Sequence, residues 1–170
     1  MKIYLIGLSG AGKSTLGKQL ASTLLLDFVD LDHEIEAQEQ RSVSEIFRQQ
    51  GEDYFRQVES DLLRLWAVTD KSFVMATGGG APCFHDGIAV INETGISIFL
   101  DVAVGELVKR LEKESDRPLL HGEGADQMQN KLEKLRASRL ACYQRAKLTV
   151  QNPTLDSLLN KLDLRKGTRP

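Results

Sequence analysis

Neither sign of charge dominates this chain. Lys+Arg 22 stand against Asp+Glu 24, a formal net charge of -2, so there is no basic field to hold a nucleic acid through its phosphates, and no partner of that class is expected. Cysteine is scarce: Cys83 and Cys142 are the two. They show no metal-ligand spacing and no paired framework, which suits a reducing compartment and leaves both as plain core or surface thiols. No apolar run approaches the length of a membrane span, and the first residues pass directly into a strand-like segment instead of the basic-then-apolar stretch of a secretory leader. The expectation is a cytoplasmic protein with no membrane partner. Internal repeats are lacking too, as is any linker that would divide the chain into two cores. What is left, 170 residues at 41% hydrophobic and 27% charged, has the composition of one globular domain over residues 1–170.

Periodicity then supplies the elements. Lys2 to Ile6, Phe28 to Asp30, Ser72 to Ala76, Ile96 to Leu100 and Leu148 to Val150 are short apolar runs that read as strands. Helical spacing marks Thr15 to Leu25, Asp32 to Gln40, Ser42 to Gln50, Glu52 to Val68, Ile88 to Asn92, Val104 to Lys113, Gln127 to Arg145 and Thr154 to Leu162. In the helix from Glu52 the apolar stripe is Phe55, Val58, Leu62, Leu65 and Trp66, with Arg56 on a different face. Strands alternating with helices imply an α/β fold around a parallel sheet. The polar, glycine-containing segment from Glu114 to Asp126 reads as a mobile loop, and Arg165 to Pro170 as a frayed tail.

One stretch organises the rest. Gly7-Leu-Ser-Gly-Ala-Gly-Lys-Ser14 joins a strand to a helix, the context that a phosphate-binding loop requires. Its glycines let backbone N–H groups turn toward the phosphates of a nucleotide, Lys13 adds a positive charge over the outer ones, and Ser14 offers a hydroxyl to Mg²⁺ at a helix N-terminus. A glycine-rich turn with a solvated lysine is the plainer alternative.

A phosphate loop alone says only that a nucleoside triphosphate binds, so the neighbouring motifs must decide. Asp30-Leu31-Asp32 falls at the C-terminal edge of the second strand, where ligands collect in an open parallel sheet. One carboxylate can complete a Mg²⁺ shell and the other can hold or deprotonate an attacking hydroxyl; equally, the pair could be solvated acids that open a helix at Asp32. Gly78-Gly79-Gly80 lets a ligand lie against backbone, or else makes a tight turn. Arg56, Arg117 and Arg139 are candidates for gripping a carboxylate or phosphate at two points, although most arginines serve only solubility.

Taken in order, Gly7 to Ser14, Asp30-Leu31-Asp32, Phe55-Arg56, Gly78-Gly79-Gly80, Arg117-Pro118-Leu119-Leu120 and Arg139 with Tyr143 resemble the shikimate kinases over nearly the whole length. That resemblance implies a P-loop kinase three-layer fold, a five-stranded parallel sheet in the order 2-3-1-4-5 with helices on both faces and a mobile lid at about 114–126. It implies transfer of the terminal phosphoryl of ATP to the 3-hydroxyl of shikimate, with Mg²⁺, by a monomer. Asp32 would grip the ring hydroxyls and act as base, with Lys13 and Arg117 as the other catalytic groups. Arg56 and Arg139 would clamp the carboxylate, Gly78, Gly79 and Gly80 would approach the ring, and Phe47 and Phe55 would wall its apolar side. ATP would lie on Gly10, Ala11, Gly12, Lys13, Ser14 and Thr15 with Arg110 and Arg117, and the metal on Ser14 and Asp30.

Two departures stand out. Leu140-Ala141-Cys142-Tyr143 occurs where the family often has a proline, and Gln151-Asn152-Pro153 is too short a motif to assign roles on the adenine side. A gluconate-type kinase would share the phosphate loop and a lid arginine but lack the combined Asp32, Arg56, triple-glycine and Arg139 set. A nucleotide-binding module that no longer catalyses would be expected to have lost Asp32 or the lid arginine.

Overall fold

A computed structural model describes residues 1–113 and 125–166. Its centre is β1 (Lys2–Ile6), whose residues Ile3 to Ile6 have no solvent exposure at all. Successive strand side chains project to opposite faces, so four buried neighbours in a row mean that both faces of the sheet are covered. β3 (Phe73–Ala76) pairs with one side of β1 and β4 (Ile96–Asp101) with the other; β2 (Asp27–Asp30) and β5 (Leu148–Gln151) form the edges. Every pairing is parallel, with Ile3 opposite Val74 and Ile96, and the five-stranded order is β2-β3-β1-β4-β5, as expected.

Helices follow the strands. α1 (Lys13–Leu24) packs on β1, β2 and β3 and against α7 (Leu155–Lys166), while α4 (Gly87–Thr94) packs on β4 and against α3 (Val43–Val68). α2 (Leu31–Glu39) rests on α3, and α5 (Val104–Lys113) on α6 (Ala125–Tyr143). α3 joins the two expected helical pieces across Gly51, whose φ of 83° and ψ of 175° leave the helical region. Its start is fixed by a reciprocal cap: the Ser42 side chain accepts from Glu45 N, and Ser42 N donates to Glu45 Oε2 at 2.9 Å.

Three expectations need correcting. Leu65 is 60% exposed, because the buried stripe of α3 continues through Leu62, Leu63 and Ala67, and a 3.6-residue repeat carries Leu65 to the solvent side. Arg56 lies on a buried side of α3, at 7% exposure, since the buried Glu59 of its own helix accompanies it while the exposed Glu52 meets it from the solvent side. Arg165 belongs to α7 and not to a frayed tail. The expected lid falls almost wholly outside the described residues; Ala125 and Asp126 already begin α6.

Candidate active site

The strand–loop–helix unit places its chemistry at the C-terminal edge of the sheet. Between β1 and α1 the chain passes Gly10 at φ 80° and Gly12 at φ 90°, left-handed backbone that costs a residue with a Cβ about 1–2 kcal/mol. Lys13 is the first residue of α1, two before the expected start, and its Nζ donates to the carbonyls of Gly7 and Leu8 at 2.9 Å each. The loop is therefore stapled by its own lysine. Ala11 is buried and gives its backbone N–H to Leu8 O at 3.2 Å.

Beside the loop, β2 ends at Asp30, and here both carboxylate oxygens are used. Oδ2 accepts from Ser14 Oγ at 2.6 Å and Oδ1 accepts from Asp32 N at 3.2 Å, so Asp30 caps α2 while tying it to the start of α1. The helix thus opens at Leu31 with Asp30 as its cap, one turn position earlier than the solvated-acid alternative supposes. Asp32 is half-buried at the same edge. Burial raises its pKa first and the charge of Asp30 adds to the rise, with Lys13 opposing both.

A cleft of about 460 Å³ runs along this edge and is lined by Gly10, Gly12, Lys13, Ser14, Thr15, Asp30, Asp32, Gly79 and Arg110, among others. Arg110 reaches it from α5, held by Glu106 at 3.0 Å and set 3.5 Å from Gly10 O. Pro153, in the loop to which no role could be assigned from sequence, lines the same cleft. A larger cavity of about 820 Å³ shares Ser9, Ser14, Asp30 and Asp32 and continues between α2 and α6. The two volumes meet at the carboxylates.

The triple glycine turns out to be a set of contacts. Thr77, donating N–H and Oγ1 to Leu5 O at 3.2 and 3.0 Å, prolongs the pairing of β3 with β1 by one residue and so fixes where Gly78 begins. A Cβ on Gly78 would stand 2.4 Å from Glu59 Oε1 and 3.1 Å from Asp32 Oδ1. On Gly79 it would stand 3.2 Å from an Arg139 nitrogen, and on Gly80 between 2.4 and 2.7 Å from Cζ and the two terminal nitrogens of Arg56. Each glycine leaves room for charged side chains, two at Gly78 and one each at Gly79 and Gly80. Tyr143 completes the set by donating its hydroxyl to Gly79 O, which draws the end of α6 onto the same turn.

Arg56 is the most constrained of these groups. Glu59 Oε2 accepts from it at 2.6 Å and Glu52 Oε1 at 3.1 and 3.2 Å, while its guanidinium lies over the rings of Phe55 and Phe84 at 5.1 and 4.5 Å. Phe47 and Phe55 meet with ring centroids 4.6 Å apart, which covers the Phe55 face and leaves that residue 3% exposed. Glu59 and Phe84 escaped the sequence reading. For Glu59 a signal existed: a glutamate three residues beyond an arginine on one helix is within pairing distance. For Phe84 there was none, because the contact crosses from the β3–α4 connection to α3. Glu59 is itself buried, its pKa raised chiefly by burial, and its Oε1 has no hydrogen-bond partner among the described residues.

Of the expected site residues, Lys13, Ser14, Thr15, Asp30, Asp32, Gly10, Gly12, Gly79 and Arg110 share the cleft, and Arg56, Gly78, Gly80 and Arg139 gather behind it through the glycine contacts. Arg117 lies outside the described residues. Among the described residues there is no group of three or more His, Cys, Asp or Glu placed to hold a metal, and no helix long and apolar enough to cross a membrane.

The family model described as shikimate kinase matches residues 9–161. A shikimate kinase from Parabacteroides distasonis is 38% identical over 149 residues, 87% of this chain and 86% of its own length; one from Chlorobium phaeobacteroides is 42% identical over 158 residues, 89% and 82%. Among solved structures, the shikimate kinase of Bacteroides thetaiotaomicron superposes with a TM-score of 0.90 at 33% identity, covering 98% of both chains. That of Acinetobacter baumannii, in complex with shikimate, superposes with a TM-score of 0.87 at 32% identity, covering 99% of this chain and 94% of the other.

Proposed function

Because the chain belongs to the shikimate kinase family, we propose that it transfers the terminal phosphoryl group of ATP to the 3-hydroxyl of shikimate, giving shikimate 3-phosphate and ADP on the route to chorismate and the aromatic amino acids. The observation that carries this reading is the matching of the triple glycine to charged side chains, Gly78 to Asp32 and Glu59, Gly79 to Arg139 and Gly80 to Arg56, beside a phosphate loop. Two guanidinium groups a few ångströms behind a floor of bare backbone suit a small acceptor with a carboxylate, and Asp32 suits its hydroxyls. The reading places the enzyme in the cytoplasm, where ATP is supplied, acting as a monomer on one domain.

Phosphoryl transfer asks mainly for alignment and for positive charge where the equatorial oxygens become more negative. Lys13 provides that charge from the rim of the loop and would exchange its present bonds to the Gly7 and Leu8 carbonyls for phosphate oxygens. Asp32 orients the attacking hydroxyl and takes its proton. Its raised pKa favours that task, since a base is more effective as its pKa approaches the working pH. Arg56 and Arg139 hold the acceptor carboxylate at two points each, and Glu59 keeps Arg56 from swinging away. Arg117, which the family resemblance assigns to closing the site, would add positive charge from outside the described residues.

Mg²⁺ fits the donor set. A hydroxyl and a carboxylate oxygen 2.6 Å apart, Ser14 Oγ and Asp30 Oδ2, are the hard oxygen ligands that this ion takes, and they would hold it directly or through water. When bound it neutralises phosphate charge. Ser14→Ala should therefore raise the Mg²⁺ concentration for half-maximal turnover by about tenfold, equivalent to ~1.4 kcal/mol, with the shikimate titration at saturating Mg²⁺ little altered. An unchanged Mg²⁺ requirement would remove Ser14 from the metal site.

The deciding experiment is ADP release by purified protein with ATP and Mg²⁺, offered shikimate, gluconate and nucleoside monophosphates in parallel. Shikimate should accelerate it most. Equal acceleration by another acceptor would leave a kinase of a different substrate, and acceleration by none would leave a nucleotide-binding module.

A further inference from the structure

Arg139 reaches the cleft from a helix that the core grips most firmly at its ends. Met128 and Leu132 are buried near one end of α6 and Tyr143 at the other, whereas every side chain from Glu133 to Cys142 is exposed or half-buried, about 15 Å of helix at 1.5 Å per residue. Leu135, Leu140 and Cys142 touch the core there without being covered by it, so burial alone holds that stretch weakly. Polar bonds supply the rest. Arg136 Nη1 lies 2.7 Å from Asp101 Oδ1, with 27% of the arginine side chain and 18% of the aspartate exposed. Asp101 is a rigid partner: it closes β4, stands opposite Gln151 of β5, and its own carbonyl accepts from Asn152 N at 3.2 Å. Further along α6, the Tyr143 hydroxyl is bound to Gly79 O. The two bonds land on the end of β4 and on the turn after β3, with β1 between those strands. Arg139 stands between the two fixed points, three residues after the first and four before the second.

We propose that Arg136, through its pair with Asp101, is a positioning residue that holds α6 at the place from which Arg139 grips the carboxylate of the acceptor.

The place is a narrow one. The point that a Cβ would take on Gly79 is 3.2 Å from an Arg139 nitrogen, 3.6 Å from Gly7 O and 3.9 Å from Ser9 N, so Arg139 stands where the triple glycine meets the phosphate loop. Residues three apart on a helix are surface neighbours, and a rigid helix passes a shift at Arg136 on to Arg139. The pair is suited to prevent such a shift. Being largely sheltered from water, it is screened less than an exposed pair and holds more firmly. One nitrogen meets one oxygen, so the hold asks for a positive charge at the right distance and not for the two-point geometry of a guanidinium.

Without the pair, α6 stays packed on α5 and tied at Tyr143, and its middle is free to drift. A displacement of about 1 Å in a positioning group can cost up to roughly 10²-fold in rate, and a loosened helix still visits the right place, so about a tenfold fall in kcat/KM for shikimate is expected. The fall should come mainly through KM, because Arg139 meets the carboxylate and not the reacting hydroxyl. ATP should be spared. The loop that borders the nucleotide cleft through Pro153 is held by the backbone carbonyl of Asp101, which a change of side chain leaves in place. The kinetic consequence rests on the acceptor reading given above; the hold on α6 does not.

The test compares shikimate and ATP titrations of the wild type with those of Arg136→Met, which keeps the apolar stem and loses the charge, of Asp101→Asn and of Arg136→Lys. Arg136→Met and Asp101→Asn should each lower kcat/KM for shikimate about tenfold, their combination should be no worse than either alone, and Arg136→Lys should recover all but about threefold. Added to Arg139→Met, Arg136→Met should have no further effect, because it acts through the residue already removed. Hydrogen exchange of the amides from 133 to 142 should quicken several-fold in Arg136→Met and Asp101→Asn, with those of α5 unmoved. A lower melting temperature with an unmoved shikimate titration would overturn the proposal and leave a pair that serves stability alone. Unchanged exchange, or a further loss in the Arg139→Met background, would overturn it too, and a loss falling on ATP would make Arg136 a nucleotide ligand instead. Wild-type enzyme that never accelerates with shikimate would refute the acceptor reading, with the exchange result standing by itself.

Discussion

Asp32→Asn is expected to bind ATP normally and to turn over shikimate about 10² to 10⁴-fold more slowly, the range over which a positioned base usually acts. The amide keeps the shape of the carboxylate and can still meet a hydroxyl, so acceptor binding should change far less than kcat. Wild-type kcat should also fall as pH drops through the folded-state pKa of Asp32, which burial and Asp30 hold above the ordinary carboxylate range. In the mutant that acid limb should vanish. Stability should move the other way. A carboxyl whose folded pKa is raised binds its proton more tightly in the native state, so it weakens the fold once pH exceeds that folded pKa and has no such effect below the unfolded one. The Asn variant should accordingly melt higher than wild type near neutral pH and no higher in acid. An unchanged kcat, or an acid limb that survives the substitution, would remove Asp32 from the chemistry.

Gly80→Val is expected to cost roughly 10²-fold in kcat/KM for shikimate while ATP affinity stays within about twofold. A Cβ on Gly80 would fall 2.4 Å from an Arg56 nitrogen, and ordinarily such a clash with the far end of a flexible side chain is relieved cheaply. Here it is not. Arg56 is held by Glu59 at 2.6 Å and Glu52 at 3.1 Å, with rings of Phe55 and Phe84 on its faces, so moving it would strand a buried glutamate. Arg56→Lys is the companion measurement: it keeps the charge, frees the space and loses the two-point grip, and it too should weaken shikimate far more than ATP. Comparing melting temperatures separates misfolding from a misplaced clamp. A folded Gly80→Val enzyme with a normal shikimate titration would show that Arg56 does not hold the acceptor.

Much of this arrangement could be read from the residues in order. The central strands are short runs buried on both faces, so Lys2–Ile6 was legible to the residue, as was the amphipathic helix Val104–Lys113. The strand order was implied by family resemblance and could not follow from periodicity. Local patterns misled where a helix had two apolar options, as with Leu65, and where a charged residue was buried beside an opposite charge, as with Arg56 and Glu59. Contacts that join distant segments had no signature. Phe84 on Arg56 and Glu59 beside Gly78 both depend on how the β3–α4 turn meets α3. Spacing in sequence carries no information about such meetings.

The central position of β1 also governs the order in which this protein can assemble during synthesis. The earliest of the five strands is the middle one, and its neighbours, Val74 opposite Ile3 on one side and Ile96 on the other, are made much later. At about 5–20 residues per second, a ribosome needs roughly 4–15 s to pass from β1 to β3. Throughout that interval the phosphate loop hangs from a strand without a partner. No N-terminal fragment that stops short of β3 should retain nucleotide, and a nascent chain should acquire that ability only after the sheet has closed around its first strand.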